Sequence, residues 1–221
     1  MTILDIDGLT DFLSRWYAVT DIGLPSSAID SGVIVPETLK LAWVKIGRLS
    51  AGYEEWVRTG NPSPLACQDG LAAPGPLLVR DGIAQVVTEN QGNWSIGYKD
   101  GDQTIDPPVF TDFLEQEIGG VGFVPLGCNL SDLIITSVLS ETVFFGLVSS
   151  PSIEELAAEC NETIWTGHYY NAVGKGDVFE VPSHQIRTNN EENMLCLYWG
   201  GKFSGFLASS SKGRERLKPF L

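Results

Sequence analysis

A chain of 221 residues, 43% hydrophobic and 19% charged, has enough apolar material for a core, which excludes a disordered chain. Its length fits one domain, and the absence of a repeat or a clear linker predicts a single domain over 1–221. A net charge of −14 disfavours binding to nucleic acid or to an anionic membrane, and favours basic partners.

The location predicted from the sequence is cytoplasmic. The first eleven residues contain Asp5, Asp7 and Asp11, whereas a secretion signal needs a basic start and an apolar run. The best membrane candidate, 133–148, is short for a bilayer crossing and contains Glu141. We therefore expect that stretch to be a core helix and the protein not to enter a membrane.

Two helices and a loop are predicted at the start of the chain. Apolar residues at helical spacing predict an amphipathic helix near 7–18, with Asp7 or Thr10 as its cap; these are Leu9, Phe12, Leu13, Trp16 and Tyr17. A second helix should open at Pro36 and end near Gly47, because proline suits a first helical turn. Residues 60–76, which are rich in Pro and Gly, are predicted to be a loop.

The next segment is predicted to be an antiparallel meander. Residues 77–80 and 83–89 flank Asp81-Gly82, a dipeptide typical of tight hairpin turns. A third strand over 93–99 follows the Gln91-Gly92 turn. Residues 100–109 are predicted to be a loop, because Pro107-Pro108 cannot continue a ladder of hydrogen bonds.

The second half of the chain is predicted to alternate helices with strands. A helix is expected over 131–145 with Ser131 as N-cap, and another over 152–161 with Ser152 and Glu155 at capping-box spacing. Strands are expected near 164–170, 177–181, 194–199 and 203–207, and a short basic helix near 211–218. Strands in hairpin-like groups, without regular βαβ alternation, predict an α+β fold with an antiparallel or mixed sheet flanked by helices.

A search for catalytic chemistry returns no constellation. Cys67, Cys128, Cys160 and Cys196 are scattered, so we expect buried thiols rather than a metal site or disulfides. His168 is expected in a strand and His184 in a turn, both in ordinary structural roles.

Motif spacing also argues against cofactors. The glycines at 119–122 lack the spacing of a nucleotide loop. Asp100, Asp102 and Asp106 resemble the start of a calcium loop, but Ile105 occupies the position that requires glycine. The prediction is therefore a non-enzyme with no catalytic residues, no metal and no cofactor; a pair of carboxylates in a hydrolase remains the enzymatic alternative.

The charge is concentrated in the middle of the chain. Between Asp100 and Gly174 there is no Lys or Arg, but there are twelve acidic residues. Such a segment is either a solvated face or a docking surface for a cationic protein. The residues predicted to bind a partner are the six acids at the start of this segment: Asp100, Asp102, Asp106, Asp112, Glu115 and Glu117. Glu154 and Glu155 have weaker support.

The run 88–98 (TENQGNWSIGY) is followed a few residues later by Asp106-Pro107-Pro108-Val109. These two stretches resemble the central motif of the SUKH superfamily. Residues 35–39 with Trp43 resemble its early Leu-Pro helix, and 130–134 its Leu-Ser-x-Phe-Leu helix. The resemblance is strongest over about 30–145. We expect the motif residues to be structural; they are Glu89, Asn90, Gly92, Trp94, Pro107 and Pro108.

The resemblance implies a function as well as a fold. Most members of that family are bacterial immunity proteins that bind and neutralise toxin domains of polymorphic toxin systems, often nucleases. It therefore implies a cognate basic toxin domain as the partner of this chain, bound through the acidic residues. The alternative within the same family is a regulatory scaffold that binds host proteins, as in the fungal branch that regulates cell-wall assembly.

Overall fold

Two antiparallel sheets and five helices form the described part of this computed structural model, which covers residues 2–29, 34–49, 64–113, 122–168 and 184–218. The helices are α1 (Ile6–Tyr17), α2 (Glu37–Ile46), α3 (Leu130–Phe145), α4 (Ile153–Glu159) and α5 (Ser210–Leu217), with a 3-10 turn at Ser26–Ala28. The strands are β1 (Asp69–Leu71), β2 (Val79–Arg80), β3 (Ile83–Glu89), β4 (Ser95–Lys99), β5 (Pro108–Thr111), β6 (Val124–Asn129), β7 (Glu162–Gly167), β8 (His184–Thr188), β9 (Met194–Trp199) and β10 (Lys202–Ser209).

Each sheet is built mainly from strands that are neighbours in sequence. The first has the order β1-β3-β4-β5-β6, and β2 pairs with β3 as well. The second has the order β10-β9-β8-β7. Every described pairing is antiparallel. The α+β fold expected from the sequence is therefore confirmed.

Helix α3 lies at the centre of the core. Almost every side chain from Leu130 to Phe145 is buried, and the helix contacts strands of both sheets as well as α1, α2 and α5. Its polar residues, among them Thr136, Ser140 and Glu141, are buried as well, so the helix presents almost no face to water. The prediction that 133–148 contains a core helix is confirmed. No helix in the described ranges is long and apolar enough to cross a membrane.

The predicted helices and the central hairpin are also confirmed, with small changes at their ends. Helix α1 is capped by Asp5, whose Oδ1 accepts a hydrogen bond from the Gly8 N–H at 2.8 Å, rather than by Asp7 or Thr10. At the β2–β3 turn, Asp81 and Gly82 have φ of 51° and 76°. Both lie in the left-handed region, which matches the turn type that Asp-Gly favours.

Several local predictions are wrong. The loop predicted over 60–76 contains β1, which pairs with β3. Pro108 is not in a loop but is the first residue of β5, a position where its lack of an N–H is tolerated. The N-cap of α3 is Asn129 rather than Ser131, and Ser152 caps α4 without a side-chain hydrogen bond. The strand predicted at 177–181 lies outside the described residues.

His184 is a buried strand residue, not the turn residue that the sequence predicted. It opens β8 opposite Gly167 and Trp199, and only 1% of its surface is exposed. The ring centroids of His184 and Trp199 are 5.8 Å apart. Burial penalises the imidazolium ion and lowers the pKa of His184 to about 3. The folded protein therefore holds this side chain neutral in mildly acidic solution.

We expect this buried histidine to make the fold acid-sensitive. Unfolded histidine takes up a proton below its ordinary pKa of 6.5, whereas folded His184 does so only near 3. The stability that this group contributes above pH 6.5 is therefore lost as the pH falls. The free energy of unfolding should decrease by on the order of 5 kcal/mol by the time the pH reaches the folded pKa. Urea unfolding of wild type and His184→Gln across this range should show a flatter profile for the variant. His168→Gln, at a less buried histidine, should flatten it less; equal profiles for wild type and His184→Gln would contradict the prediction.

Candidate protein-binding surface

The loop between β4 and β5 carries two of the predicted binding residues, Asp100 and Asp102. Asp100 is exposed and Asp102 is half-buried. The Asp102 Oδ1 accepts hydrogen bonds from the Thr104 hydroxyl at 2.6 Å and from the Thr104 N–H at 2.9 Å. These bonds lower the pKa of Asp102. The carboxylate is therefore ionised and fixed in orientation at neutral pH.

The same loop is attached to α2 and presents an isoleucine to solvent. The Ile105 carbonyl accepts hydrogen bonds from the Thr38 hydroxyl at 2.7 Å and from the Thr38 N–H at 3.2 Å. The Ile105 side chain is nevertheless 69% exposed. The loop is thus held by its backbone while its largest apolar side chain points to water.

Two further exposed apolar residues come from the segment that contains Thr38. Leu41 lies one helical turn after Thr38 and is 41% exposed, and Ile34, just before the helix, is 76% exposed. Because the hydrogen bonds from Thr38 to Ile105 join this segment to the loop, we group these residues with the loop as the Ile105 surface, defined as Ile34, Leu41, Asp100, Asp102 and Ile105. Exposed apolar residues beside charged ones are typical of protein-binding surfaces.

Basic residues adjoin this surface as well. Lys99 lies within electrostatic range of Asp102, and its ammonium group is 5.4 Å from the centre of the Phe110 ring. Lys40 forms an ion pair with Glu37 at 2.8 Å. The Ile105 surface therefore has charges of both signs at its edges, and its acidic residues are Asp100 and Asp102 of the loop.

Asp106 has a structural role that the sequence did not predict. Its carboxylate accepts hydrogen bonds from the Ser131 N–H at 2.8 Å and from the Ser131 hydroxyl at 2.7 Å. It thereby satisfies an N–H group in the first turn of α3, as a capping side chain does. Since the group is half-buried and engaged, replacing it would disturb the core helix as well as any bound partner.

Asp112 is not part of an exposed acidic face, which corrects its assignment as a docking residue. It is 5% exposed, and its carboxylate accepts a hydrogen bond from the Ser95 N–H at 2.6 Å. The other oxygen forms an ion pair with Arg80, which also donates to the Ser95 hydroxyl at 3.1 Å. Because Arg80 lies upstream of the acidic segment, counting charges within that segment did not reveal this pair.

Four predicted acids remain, and the structure describes two of them. Glu115 and Glu117 lie outside the described residues. Glu154 and Glu155 are exposed in the first turn of α4, which packs against β10 of the second sheet. Of the predicted acids that the structure describes, Asp100 and Asp102 lie on the Ile105 surface, and their binding role stays a prediction.

The residues of the 88–98 motif maintain the β3–β4 hairpin. The Glu89 Oε2 accepts hydrogen bonds from the N–H groups of Gln91 and Asn93, at 2.9 and 3.1 Å. Gly92 has a φ of 74°, a left-handed conformation that glycine adopts without strain. Trp94 is 6% exposed and makes an edge contact with Phe113. The Asn90 N–H donates to the Gln68 carbonyl at 3.0 Å.

Among the described residues, one carboxylate is fully buried, and it was not singled out from the sequence. Glu141 on α3 is fully buried and accepts backbone hydrogen bonds from Gln68 and Asp69, each at 3.0 Å, and from Cys67. Burial, together with the neighbouring Asp69, raises the pKa of Glu141. Its contacts are with backbone that enters β1, so the group joins the core helix to the edge of the first sheet.

Among the described residues, no group of three His, Cys, Asp or Glu side chains is placed to hold a metal ion. Of the three aspartates that resemble the start of a calcium loop in sequence, Asp102 binds Thr104 and Asp106 binds Ser131. Comparison of the chain with models of known protein families, with curated proteins and with solved structures returns no match.

Proposed function

We propose that this protein is an immunity protein that neutralises a basic toxin domain by binding it at the Ile105 surface. The observation that carries the proposal is the exposure of Ile105, Leu41 and Ile34 on the loop and the helix segment that Thr38 joins, with the ionised Asp102 on the same loop. Apolar side chains that fill pockets on a partner supply much of the affinity of an interface. The sequence resemblance to the SUKH superfamily supplies the class of partner.

The charge of the protein suits this partner. With a net charge of −14, it attracts a cationic domain at long range, which speeds association at moderate ionic strength. A nuclease carries its positive charge around the cleft that binds phosphates. A protein with acidic groups beside an apolar patch would cover that cleft and exclude the substrate.

The surface is also fixed before binding. The two hydrogen bonds from Thr38 to Ile105 and the two from Thr104 to Asp102 restrain the middle of the loop, over residues 102–105. Ordering a flexible loop costs free energy on association, and a loop that is already ordered avoids that cost. Such preorganisation supports tight binding of a single cognate partner.

A growth-protection assay tests the proposal. The C-terminal domain of a secreted multidomain protein encoded beside this gene is expressed in a bacterial host, with and without this chain. We expect the domain to stop growth and this chain to restore it. A neighbouring frame of housekeeping function, or a toxic domain against which this chain gives no protection, would contradict the proposal and favour the regulatory scaffold.

The matched control in this assay is an unrelated toxin of similar basicity. A merely acidic protein would protect against any basic toxin by non-specific association. An immunity protein should protect only against its cognate domain, because shape and apolar contacts decide specificity once charge has brought the partners together.

A further inference from the structure

A cavity of about 550 Å³ is lined by two segments of the chain that meet at the end of α4. Glu159 and Asn161 come from the end of α4 and the residues just after it. The other segment is the turn that joins β8 to β9, with Asn189 and Glu191 among its lining residues. The volume of the cavity falls within the range of small-molecule sites, about 300–1,000 Å³. It is therefore a candidate binding site separate from the Ile105 surface.

An asparagine network builds the turn side of this cavity. Asn189 is only 8% exposed. Its Oδ1 accepts hydrogen bonds from the N–H groups of Asn193 at 3.0 Å and Met194 at 3.1 Å, and its Nδ2 donates to the Asn193 Oδ1 at 2.8 Å. The Asn193 Nδ2 then donates to the Glu191 Oε2 at 2.7 Å. The amides thus hold the turn and orient the Glu191 carboxylate, whose Oε1 has no hydrogen-bond partner among the described residues.

The opposite side carries a second carboxylate, at the end of a helix. Glu159 is the last residue of α4, and the last turn of that helix contains no basic residue. The C-terminal end of a helix carries partial negative charge, so a carboxylate there is disfavoured and a cation is favoured. Glu159 and Glu191 are both exposed, and no described residue forms an ion pair with either of them. Their charges are therefore not compensated within the described part of the chain.

The lining of the cavity selects the class of ligand by charge and by apolar contact. The described lining residues include no Lys or Arg, so an anion is repelled. Half-buried Leu156 and Met194 line the same cavity, and methylene groups pack on such side chains while a charged end stays with the carboxylates. Within the described ranges, no third ligating side chain joins the glutamates to hold a metal ion. The ligand that fits is an organic cation with an aliphatic chain.

We propose that this cavity binds an aliphatic diamine or polyamine. One ammonium group contacts Glu159, a second contacts the Oε1 of Glu191, and the methylene chain between them lies on Leu156 and Met194. A ligand with two charges compensates both glutamates at once, whereas a monoamine leaves one of them without a partner. The proposal does not depend on toxin binding, because the cavity and the Ile105 surface share no residue.

Titration calorimetry of the full-length protein with cadaverine at low ionic strength tests the proposal. We expect saturable binding of one diamine per chain, which weakens as salt screens the charges. Pentylamine has the same carbon chain but one ammonium group, so it should bind on the order of tenfold more weakly. Pentylamine that binds as tightly as cadaverine would overturn the two-carboxylate arrangement.

Single substitutions assign the binding to the two glutamates. Glu159→Gln and Glu191→Gln should each weaken cadaverine binding on the order of tenfold, because each removes one charge-assisted contact and keeps the side-chain volume. The matched control is Asp11→Asn, which removes the same charge from an exposed residue of α1 and should change the affinity little. Equal weakening by the three variants would show that the overall negative charge attracts the diamine, and would overturn the site.

Backbone amide chemical shifts locate the site in the wild-type protein, so this measurement does not depend on a variant that folds. Cadaverine should move the signals of residues 159–161 and 189–194 and leave those of the Ile105 surface unchanged. Shifts elsewhere in place of these would overturn the proposal. N-acetyl-lysine amide, which carries one ammonium group beside a peptide backbone, should bind more weakly than cadaverine. Tighter binding of the lysine compound would overturn the proposal in favour of a lysine side chain of a protein partner.

Discussion

Replacing Glu141 by alanine is expected to lower the free energy of unfolding by about 3–5 kcal/mol, because it leaves three buried or partly buried backbone N–H groups without their acceptor. Those groups belong to Cys67, Gln68 and Asp69, where the chain enters β1. The substitution also opens a cavity beside α3, which adds to the cost. Equilibrium unfolding in urea at neutral pH measures the difference.

Two controls distinguish the acceptor role from the mere presence of an acidic residue. Glu141→Gln keeps the volume and one acceptor oxygen but presents an NH₂ group to N–H donors, so it should lose part of the stability. Glu154→Ala, on the exposed first turn of α4, should change the free energy of unfolding little. An alanine variant at 141 with wild-type stability would show that the three N–H groups have other partners.

The pH dependence of the same residue has a definite sign. Burial raises the pKa of folded Glu141 above its ordinary 4.5, so the folded state retains a proton that the unfolded chain releases. The contribution of this group to stability therefore declines as the pH rises from 4.5, and Glu141→Gln removes that decline. The stability contributed by Glu141 therefore changes with pH in the opposite direction to that contributed by His184, which declines as the pH falls.

Local patterns predicted much of the fold. The spacing of Leu9, Phe12 and Trp16 identifies α1 because residues three or four positions apart lie on the same face of an α-helix. Asp81-Gly82 identifies the β2–β3 turn because few residue types accept positive φ. The amphipathic and turn signals depend on neighbours within a few positions. Such signals can therefore be recognised in a single sequence.

Contacts between distant residues were not predictable in this way. Glu141 binds backbone more than seventy positions upstream in the sequence, and Asp112 pairs with Arg80 across the first sheet. In the sequence these acids look the same as Asp100, since composition assigns every carboxylate the same charge. The fold separates them, because burial and hydrogen bonding decide which charge faces a partner and which holds strands together.

His184 illustrates the same limit. It follows Pro182-Ser183, a pattern that indicates a turn, but the alternating burial along β8 is set by pairing with β7 and β9. A strand of five residues at the centre of a sheet has little local signal of its own. Its position depends on neighbours whose identity the sequence order alone does not give.

Reversing the net charge of Asp100 and Asp102 on the Ile105 surface is expected to weaken binding of the cognate toxin domain on the order of 100-fold. The variant combines Asp100→Lys with Asp102→Asn. The asparagine keeps an oxygen that can accept the two hydrogen bonds from Thr104, so the loop conformation is retained while the charge is lost. Asp106 and Asp112 are left intact, because both hold the fold together.

The control for this variant has the same change in net charge elsewhere. Asp11→Lys with Glu215→Gln alters exposed residues on α1 and α5 and should slow association only modestly, through the overall field. Titration calorimetry at two ionic strengths measures both. Equal weakening by the two variants would mean that net charge, and not the Ile105 surface, determines binding.

The apolar half of the surface gives a prediction with a different salt dependence. Ile105→Ala removes a side chain that is 69% exposed, so the unbound protein should keep its stability while affinity falls on the order of tenfold or more. Because no charge changes, this loss should be the same at low and high ionic strength, whereas the loss from the Asp100 and Asp102 substitutions should shrink as salt screens the attraction. If the loss of affinity caused by Ile105→Ala disappeared at high salt, the effect would be electrostatic, and Ile105 would not make an apolar contact in the proposed interface.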